Sequence, residues 1–412
     1  MTALPVSVVV VSRGRPANLL RALTGIAQQI YPVFEIVVVA DPGGVDALRA
    51  GPFADTVKIV SFDEPNISAA RNLGVTVSAG EVVAFIDDDA VPEPTWLTHL
   101  VQPFEQPEVV SSGGYVLGRN GISFQWRARS VDSTGVASDL AVPGDAPVVL
   151  TPPKGKAIKT EGTNMAFRRD VLAAIGGFDP AFRFFLDETD LNMRLALDGK
   201  STAIVPRALV HHGYVESPRR TRNRAPSDLF EIGASQTLFL RKFCPTDRHA
   251  EVLEAFRAEQ RHRLLRAMVA GLLEPRDVRR VMASLKAGIA EGKVRKLNSL
   301  PPLSRCAEGF RAFPRPAKVQ SHLFAGRLTS HRARMEKARF AVQQGHISTV
   351  VTLSPTSLFH QVRFTDDGVW VQRGGVFGKS RRDQPLFRLT RFDQRLKEEA
   401  CRVADVRLLR ET

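Results

Sequence analysis

The sequence predicts an α/β protein, a mostly parallel sheet covered by helices on both faces, joined to a basic and mainly helical C-terminal extension. Two observations carry this. Continuous apolar, β-branched runs alternate with helix-patterned segments through the first ninety residues, as expected of strands buried on both sides. The charge then divides along the chain: residues 248–412 hold 33 Lys and Arg against 16 Asp and Glu, whereas residues 1–247 are nearly neutral.

Taken in order, "VSVVVV" (6–11) is a buried strand, and "ANLLRALTGIAQQI" (17–30) follows with the Leu and Ile spacing of a helix. "FEIVVVA" (34–40) and "TVKIVSF" (56–62) read as the second and third strands, "ISAARNLGVTVS" (67–78) as a helix, and "EVVAFID" (81–87) as the fourth strand. Short strands and turns begin at 109–118, and a loop rich in Pro, Gly and Asp spans 141–156. Segment 160–179 reads as strand then helix, and 187–199 as a helix with Leu191, Leu195 and Leu197 as core positions. "STAIVP" (201–206) is another strand, and Cys244-Pro245 marks a boundary. We therefore expect a domain at 1–245, divided near residue 100, and an extension at 246–412. In that extension 247–290 is helical, 300–330 is turn-rich, 357–375 forms a hairpin around Asp367-Gly368, and 390–412 is a charged helix.

Composition narrows the class. A chain of 412 residues with 43% hydrophobic and 24% charged residues is long enough for two or three globular domains. No apolar run approaches the ~20 residues of a membrane span, and no basic segment precedes the first apolar run as a secretory leader requires. Three scattered cysteines, Cys244, Cys306 and Cys401, argue against a disulfide framework and for a reducing compartment, so a cytoplasmic location is expected. The basic extension should attract phosphate, as nucleic acid, anionic lipid or acidic polymer. Neither G-x-G-x-x-G after the first strand nor G-x-x-x-x-G-K-[ST] occurs, which disfavours a dinucleotide dehydrogenase and a P-loop NTPase.

In a parallel sheet the ligand crevice lies beyond the carboxyl ends of the strands. Ser12, Asp41 and the triplet Asp87, Asp88 and Asp89 all fall at such ends. Adjacent carboxylates at a strand end suit a hard divalent cation, Mg²⁺ or Mn²⁺, whose charge offsets their mutual repulsion.

Five blocks in order, from about residue 5 to about 240, resemble the inverting nucleotide-sugar glycosyltransferases of family 2, which have a Rossmann-like GT-A fold. They are "VSVVVVSRGRPANLLRALTGIAQQ", "EIVVVAD", "NISAARNLGVTVSAGEVVAFIDDDAVPEPTWL", "TEGTNMAFRRDVLAAIGGFD" and "DETDLNMRL". The resemblance implies a metal-dependent transfer of a sugar from a nucleoside-diphosphate donor to a hydroxyl, in a glycan, a polysaccharide or a lipid-linked acceptor. Asp89 and Asp87 take the DxD metal positions, and His211 or His212 completes the metal site. Ser12, Arg15, Asp41, Arg71, Asp87 and Asp88, with Arg219 and Arg220 of "SPRRTRNR", take the donor nucleotide. Glu188 is the implied general base, with Asp187 as alternative because the family's commoner "ED" is reversed here. Asp190 should pair with Arg194 at i,i+4. Gly162, Thr163 and Asn164 fall on the acceptor side. UDP is the usual nucleotide in that family, nucleic acid is not expected, and the basic extension could meet an anionic membrane peripherally. The rival readings are a non-catalytic scaffold of the same fold and a sugar nucleotidyltransferase.

Overall fold

The computed structural model describes residues 3–409 apart from 214–224, 298, 306–307 and 317. Arg219, Arg220 and Cys306 lie outside the described residues. The expected alternation opens the chain: β1 (Val6–Ser12), α1 (Pro16–Ile26), β2 (Phe34–Ala40), α2 (Pro42–Arg49), β3 (Lys58–Ser61), α3 (Ile67–Val77) and β4 (Val82–Asp87). After β4 come β5 (Ala90–Pro92), α4 (Trp96–Val101), β6 (Val109–Leu117), β7 (Phe124–Trp126), β8 (Arg129–Asp132), β9 (Ala137–Asp139), β10 (Val148–Leu150) and β11 (Lys156–Lys159). The acceptor-side half closes with β12 (Met165–Arg168), α5 (Arg169–Ala174), α6 (Asp187–Leu197) and β13 (Ser201–His212).

The main sheet runs β10-β13-β6-β12-β4-β1-β2-β3. β4, β1, β2 and β3 are parallel, as the apolar runs predict, and β6 is parallel to β13. β12 enters between β4 and β6 antiparallel to both, so the sheet is mixed beyond its first half. Side chains alternate across it. Val6, Val8 and Val10 pack with Leu19 and Leu23 on one face, while Val9, Val83 and Phe85 meet Val75, Phe178 and Leu191 on the other. Leu191 and Leu195 are core residues, but Leu197 is 70% exposed, because two residues along a helix turn the side chain to the opposite face.

Two glycines explain why α3 lies so close to the sheet. A Cβ at Gly74 would meet Val9 Cγ1 at 2.5 Å, and one at Gly80 would meet the Ser7 backbone nitrogen at 2.6 Å. Just before them Asn72 clamps the 178 turn, donating to the Phe178 carbonyl at 2.7 Å and accepting from its N–H at 2.8 Å.

The extension differs from the expectation. Its helices are present: α8 (His249–Val269) and α9 (Pro275–Val294) pack with α7 (Phe230–Phe243), which ends at the expected boundary. The hairpin around Asp367-Gly368 is also present, but it belongs to a four-stranded sheet. That unit comprises β14 (Ser321–Arg327), α10 (His331–Gln343), β15 (Ile347–Ser354), β16 (Gln361–Phe364), β17 (Val369–Gly375) and α11 (Phe392–Arg407). β14, β15 and β17 are parallel, and the β-branched run "ISTVVTLS" forms the buried centre. Nor is the unit a detached tail. Arg21 pairs with Asp366 at 2.5 Å, and Gln28 receives the Trp370 indole N–H at 3.2 Å and donates to the Gly368 carbonyl at 2.6 Å. Cys244 and Cys401 are free thiols. Among the described residues no helix is long and apolar enough to cross a membrane.

Candidate active site

The strand ends converge as their spacing predicts. Asp41 caps α2, accepting from the Gly44 N–H at 3.2 Å, and its other oxygen accepts from the Gly14 N–H at 3.0 Å. It thereby fixes the turn after β1 beside the end of β2. The three adjacent acids take different surroundings. Asp88 is fully buried and points back to β1, where Ser12 Oγ donates to it at 2.7 Å and Arg15 pairs with it at 2.6 Å. Burial pushes the Asp88 carboxyl up to about 7, with the Arg15 charge opposing. Asp88, expected at the donor nucleotide, is thus held by protein groups at the end of β1.

Asp87 and Asp89 face the other way and meet His212, their ligand atoms lying within 4.8 Å of one another. The histidine doublet is resolved by the pleat of β13, which sends alternate side chains to opposite sides. His212 Nε2 lies 3.2 Å from Asp89 Oδ1, and its Nδ1 lies 3.0 Å from Gln125 Oε1. Burial would lower the His212 pKa, but Asp89 and Asp87 raise it, which marks a site of concentrated negative potential. Two carboxylates and an imidazole fit Mn²⁺ or Mg²⁺ by donor type, the imidazole favouring Mn²⁺. His211 points away, with Nε2 2.7 Å from Glu93 Oε1.

Arg71 joins the two walls of the cleft. It is buried, pairs directly with Asp187, lies 3.4 Å from Asp87 and donates to the Gly162 carbonyl at 3.2 Å. A Cβ at Gly162 would lie 2.8 Å from the guanidinium, so the glycine makes room for Arg71. Thr163 is buried beside it. Asn164 does not reach the cleft. Its amide accepts from Trp96 at 2.8 Å and donates to the Tyr115 and Ala208 carbonyls at 3.0 and 2.8 Å.

Asp187 and Glu188 open α6, where the positive end of the helix dipole favours acids. Phe185 and Leu186 immediately before them both have positive φ, 71° and 62°, a strained conformation for side-chain-bearing residues. Lys159 Nζ lies 2.5 Å from Glu188 Oε1, and Thr189 Oγ1 donates to the same oxygen at 3.0 Å. Burial raises the Glu188 pKa, but the charge and hydrogen bond of Lys159 overcome it and hold the carboxylate ionised. Asp187 moves the opposite way, raised by burial and by Glu188 against Arg71. Asp190 pairs with Arg194 at 2.8 Å, as the i,i+4 spacing predicts.

Sequence reading missed the supports. Lys159, Glu161 and Arg129 form a chain of ion pairs behind Glu188. The Arg129 guanidinium lies 5.6 Å over Trp126, whose ring is 5.9 Å from His212, so an aromatic side chain spans from the base side to the cation side. Glu93 is gripped at both oxygens by Arg407 of α11, at 2.7 and 2.8 Å. None of these residues belongs to a spacing pattern that would single it out in the sequence.

Part of the chain is similar to known proteins. Residues 7–176 match the model for glycosyl transferase family 2. A glucosyl-dolichyl phosphate glucuronosyltransferase of Haloferax volcanii is 31% identical over 194 residues, covering 42% of this chain and 56% of its own. The O-antigen biosynthesis protein RfbC of Myxococcus xanthus is 29% identical over 235 residues, covering 54% of this chain and 18% of its own. Among solved structures, a mannosyltransferase from Pyrobaculum calidifontis in complex with GDP-Man and Mn²⁺ is similar over 72% of this chain and 89% of that one, at 18% identity and a TM-score of 0.45. The chain spans about half or less of the length of these curated relatives. Residues 7–176, which carry Arg71, the acid triplet and the Gly162 turn, are thus similar to glycosyl transferase family 2.

Proposed function

We propose that the protein is a metal-dependent inverting glycosyltransferase that moves a sugar from a nucleoside-diphosphate donor to an acceptor hydroxyl. The observation that carries this reading is the cleft itself: a cation site of Asp87, Asp89 and His212, joined through Arg71 to the acid pair Asp187-Glu188. A divalent cation held there would neutralise charge developing on the departing diphosphate. The protein groups divide the remaining work. Asp41 and Arg15 border the nucleotide end. Arg71 fixes the acids on both walls, and Glu188 takes the proton of the attacking hydroxyl. Lys159 keeps Glu188 ionised and therefore ready to accept that proton. Inversion follows from attack opposite the leaving group, which needs a carboxylate base across the cleft from the cation.

A sugar on a lipid phosphate is the acceptor class we favour, because the Haloferax relative is named for glucosyl-dolichyl phosphate. The test mixes the protein with a panel of nucleotide sugars, Mn²⁺ and glycosylated polyprenyl phosphates. Sugar-dependent release of nucleoside diphosphate, abolished by chelation, is the expected result, with an inverted anomeric centre in the product by NMR. Retained configuration would exclude the direct-displacement mechanism. Pyrophosphate release would indicate nucleotidyl transfer instead, and silence over a broad donor and acceptor panel would leave the scaffold reading.

A further inference from the structure

In the basic extension, helices α8 and α9 turn most of their apolar residues inward. Among them Leu264, Val281 and Leu285 are buried in a shared core beneath α7. Val269 and Val294 stand exposed at their C-terminal ends, but the denser exposed apolar surface lies elsewhere. Of fourteen large apolar side chains exposed among the described residues, five stand in two short loops: Leu358 and Phe359, then Leu386, Phe387 and Leu389, each 54–80% exposed.

These loops are neighbours in space. The Gly375 N–H donates to the Leu358 carbonyl at 2.9 Å and the Arg388 N–H to the Phe377 carbonyl at 3.1 Å, so both loops flank the turn after β17. The Phe377 and Phe387 rings lie 5.5 Å apart, and the Lys379 ammonium sits 4.9 Å over the Phe359 ring. The patch is also cationic: residues 376–391 hold five Lys or Arg against one acid, and although Arg381 pairs with Asp383 and Arg388 with Glu398, Lys379, Arg382 and Arg391 have no acid partner among the described residues. Exposed Leu and Phe interleaved with Arg and Lys gain little in water. At a lipid headgroup boundary, by contrast, the apolar groups enter the acyl region while the cations stay among the phosphates.

We propose that loops 358–359 and 386–391 dock the protein peripherally on an anionic lipid bilayer. Charge complementarity selects this occupant, since a second copy seated face to face would oppose its own positive patch. The position is also apt. Next to the first loop, Val362 donates to the Asn120 carbonyl at 2.8 Å, in the turn leading to Gln125, the partner of His212. Docking would therefore hold the rim of the cation site near the membrane. The inference does not depend on sugar transfer being the reaction.

The test is co-sedimentation of the full chain with phosphatidylcholine vesicles with and without phosphatidylglycerol, at low and high salt. Binding should require the anionic lipid and weaken with salt. The triple variant Phe359→Ser, Phe387→Ser and Leu389→Ser should reduce partitioning at least about tenfold. Lys379→Glu with Arg382→Glu should do so about tenfold at low salt. The variants alter exposed side chains and the half-buried Lys379, so unchanged circular dichroism and melting temperature confirm that the fold survives. The proposal is overturned if the wild type ignores anionic vesicles, or if the triple variant binds them as well as the wild type. Loss of a protein dimer without vesicle binding, or capture by a soluble anionic polysaccharide alone, would also overturn it.

Discussion

Asp87, Asp88 and Asp89 are consecutive and identical, yet their surroundings assign them opposite tasks. Asp89→Ala removes a cation donor beside His212, so Mn²⁺-dependent binding of a nucleoside diphosphate should fall at least about a hundredfold in a calorimetric titration. Asp88→Asn instead disturbs the buried contacts with Ser12 and Arg15, the latter retaining Asp89 at 3.5 Å as a partner. It should cost stability, about 1–3 kcal/mol in a denaturant melt, while leaving the Mn²⁺ titration close to wild type. Equal loss of Mn²⁺ binding in both variants would refute the division. On the opposite wall, Glu188→Gln should lower kcat about 10²–10⁴-fold with donor binding intact. Lys159→Met makes a prediction of sign. The Glu188 carboxyl now sits near 2, low because the ammonium outweighs burial. Without Lys159 the main opposition to burial is lost and only the weaker Arg71 charge and a backbone hydrogen bond remain, so the acid limb of the kcat/KM profile should move to higher pH. An unmoved limb would mean that Glu188 is not the titrating base. The residue types were legible in the sequence. What it could not show was which way each acid points, because that is decided by partners such as Ser12, Arg15 and Lys159, none of which belongs to a spacing pattern.

Among elements, the junction of β5, β13 and α11 decides how the cation site is held. β5 runs antiparallel to β13, pairing Ala90 with His212 and Val91 with His211, and the Gly213 N–H donates to the Asp89 carbonyl at 2.7 Å. These bonds fix the register between the segments that carry Asp89 and His212. Glu93 then ties His211 to Arg407, whose guanidinium lies 4.2 Å over Trp370. Burial would raise Glu93, but the charge and hydrogen bonds of Arg407, with His211, depress it from its ordinary 4.5 to about 2. A depressed acid stabilises the fold fully above its unfolded value and loses that contribution as pH falls through the folded one. Roughly 3 kcal/mol should therefore disappear between pH 4.5 and 2, visible as acid unfolding. Arg407→Leu strands a buried carboxylate and should cost about 3–5 kcal/mol at neutral pH. The variant should also lose most of this acid dependence and bind Mn²⁺ more weakly. A wild-type acid limb in Arg407→Leu would show that the pair does not set it. From sequence, α11 reads only as a charged helix, since 314 residues separate Arg407 from the acid it covers. The parallel strands 6–87, by contrast, were readable because each buries both faces and needs a continuous apolar run.

Over the whole molecule, the extension's net charge suggested a basic tail, and the fold makes it a wrapping instead. Beyond Arg407, the segment before β14 lies along the first half of the sheet: Arg311 donates its N–H to the buried Glu35 at 2.8 Å, and Phe313 stacks on Phe34 with centroids 5.3 Å apart. Arg305 reaches the Ala79 carbonyl at 2.9 Å, while Arg21 of α1 and Gln28 just after it bind the hairpin of the second sheet. Several of the arginines that looked like a phosphate-seeking surface are therefore bonded to backbone carbonyls and acids of the first domain. Composition counts charges without revealing which are already paired. Two units joined in this way should unfold together, although each has its own apolar core. The three tryptophans allow this to be measured, because Trp96 and Trp126 report on the first domain and Trp370 on the second sheet. Single-tryptophan variants, the others replaced by Phe, should give the same midpoint in a urea titration. Breaking the junction with Arg407→Leu and Asp366→Ala should separate them, with the Trp370 transition moving to lower urea. Separate midpoints in the variants with an intact junction would mean that the second sheet folds alone, and the contacts of Arg407 and Arg21 would then contribute little to the first domain.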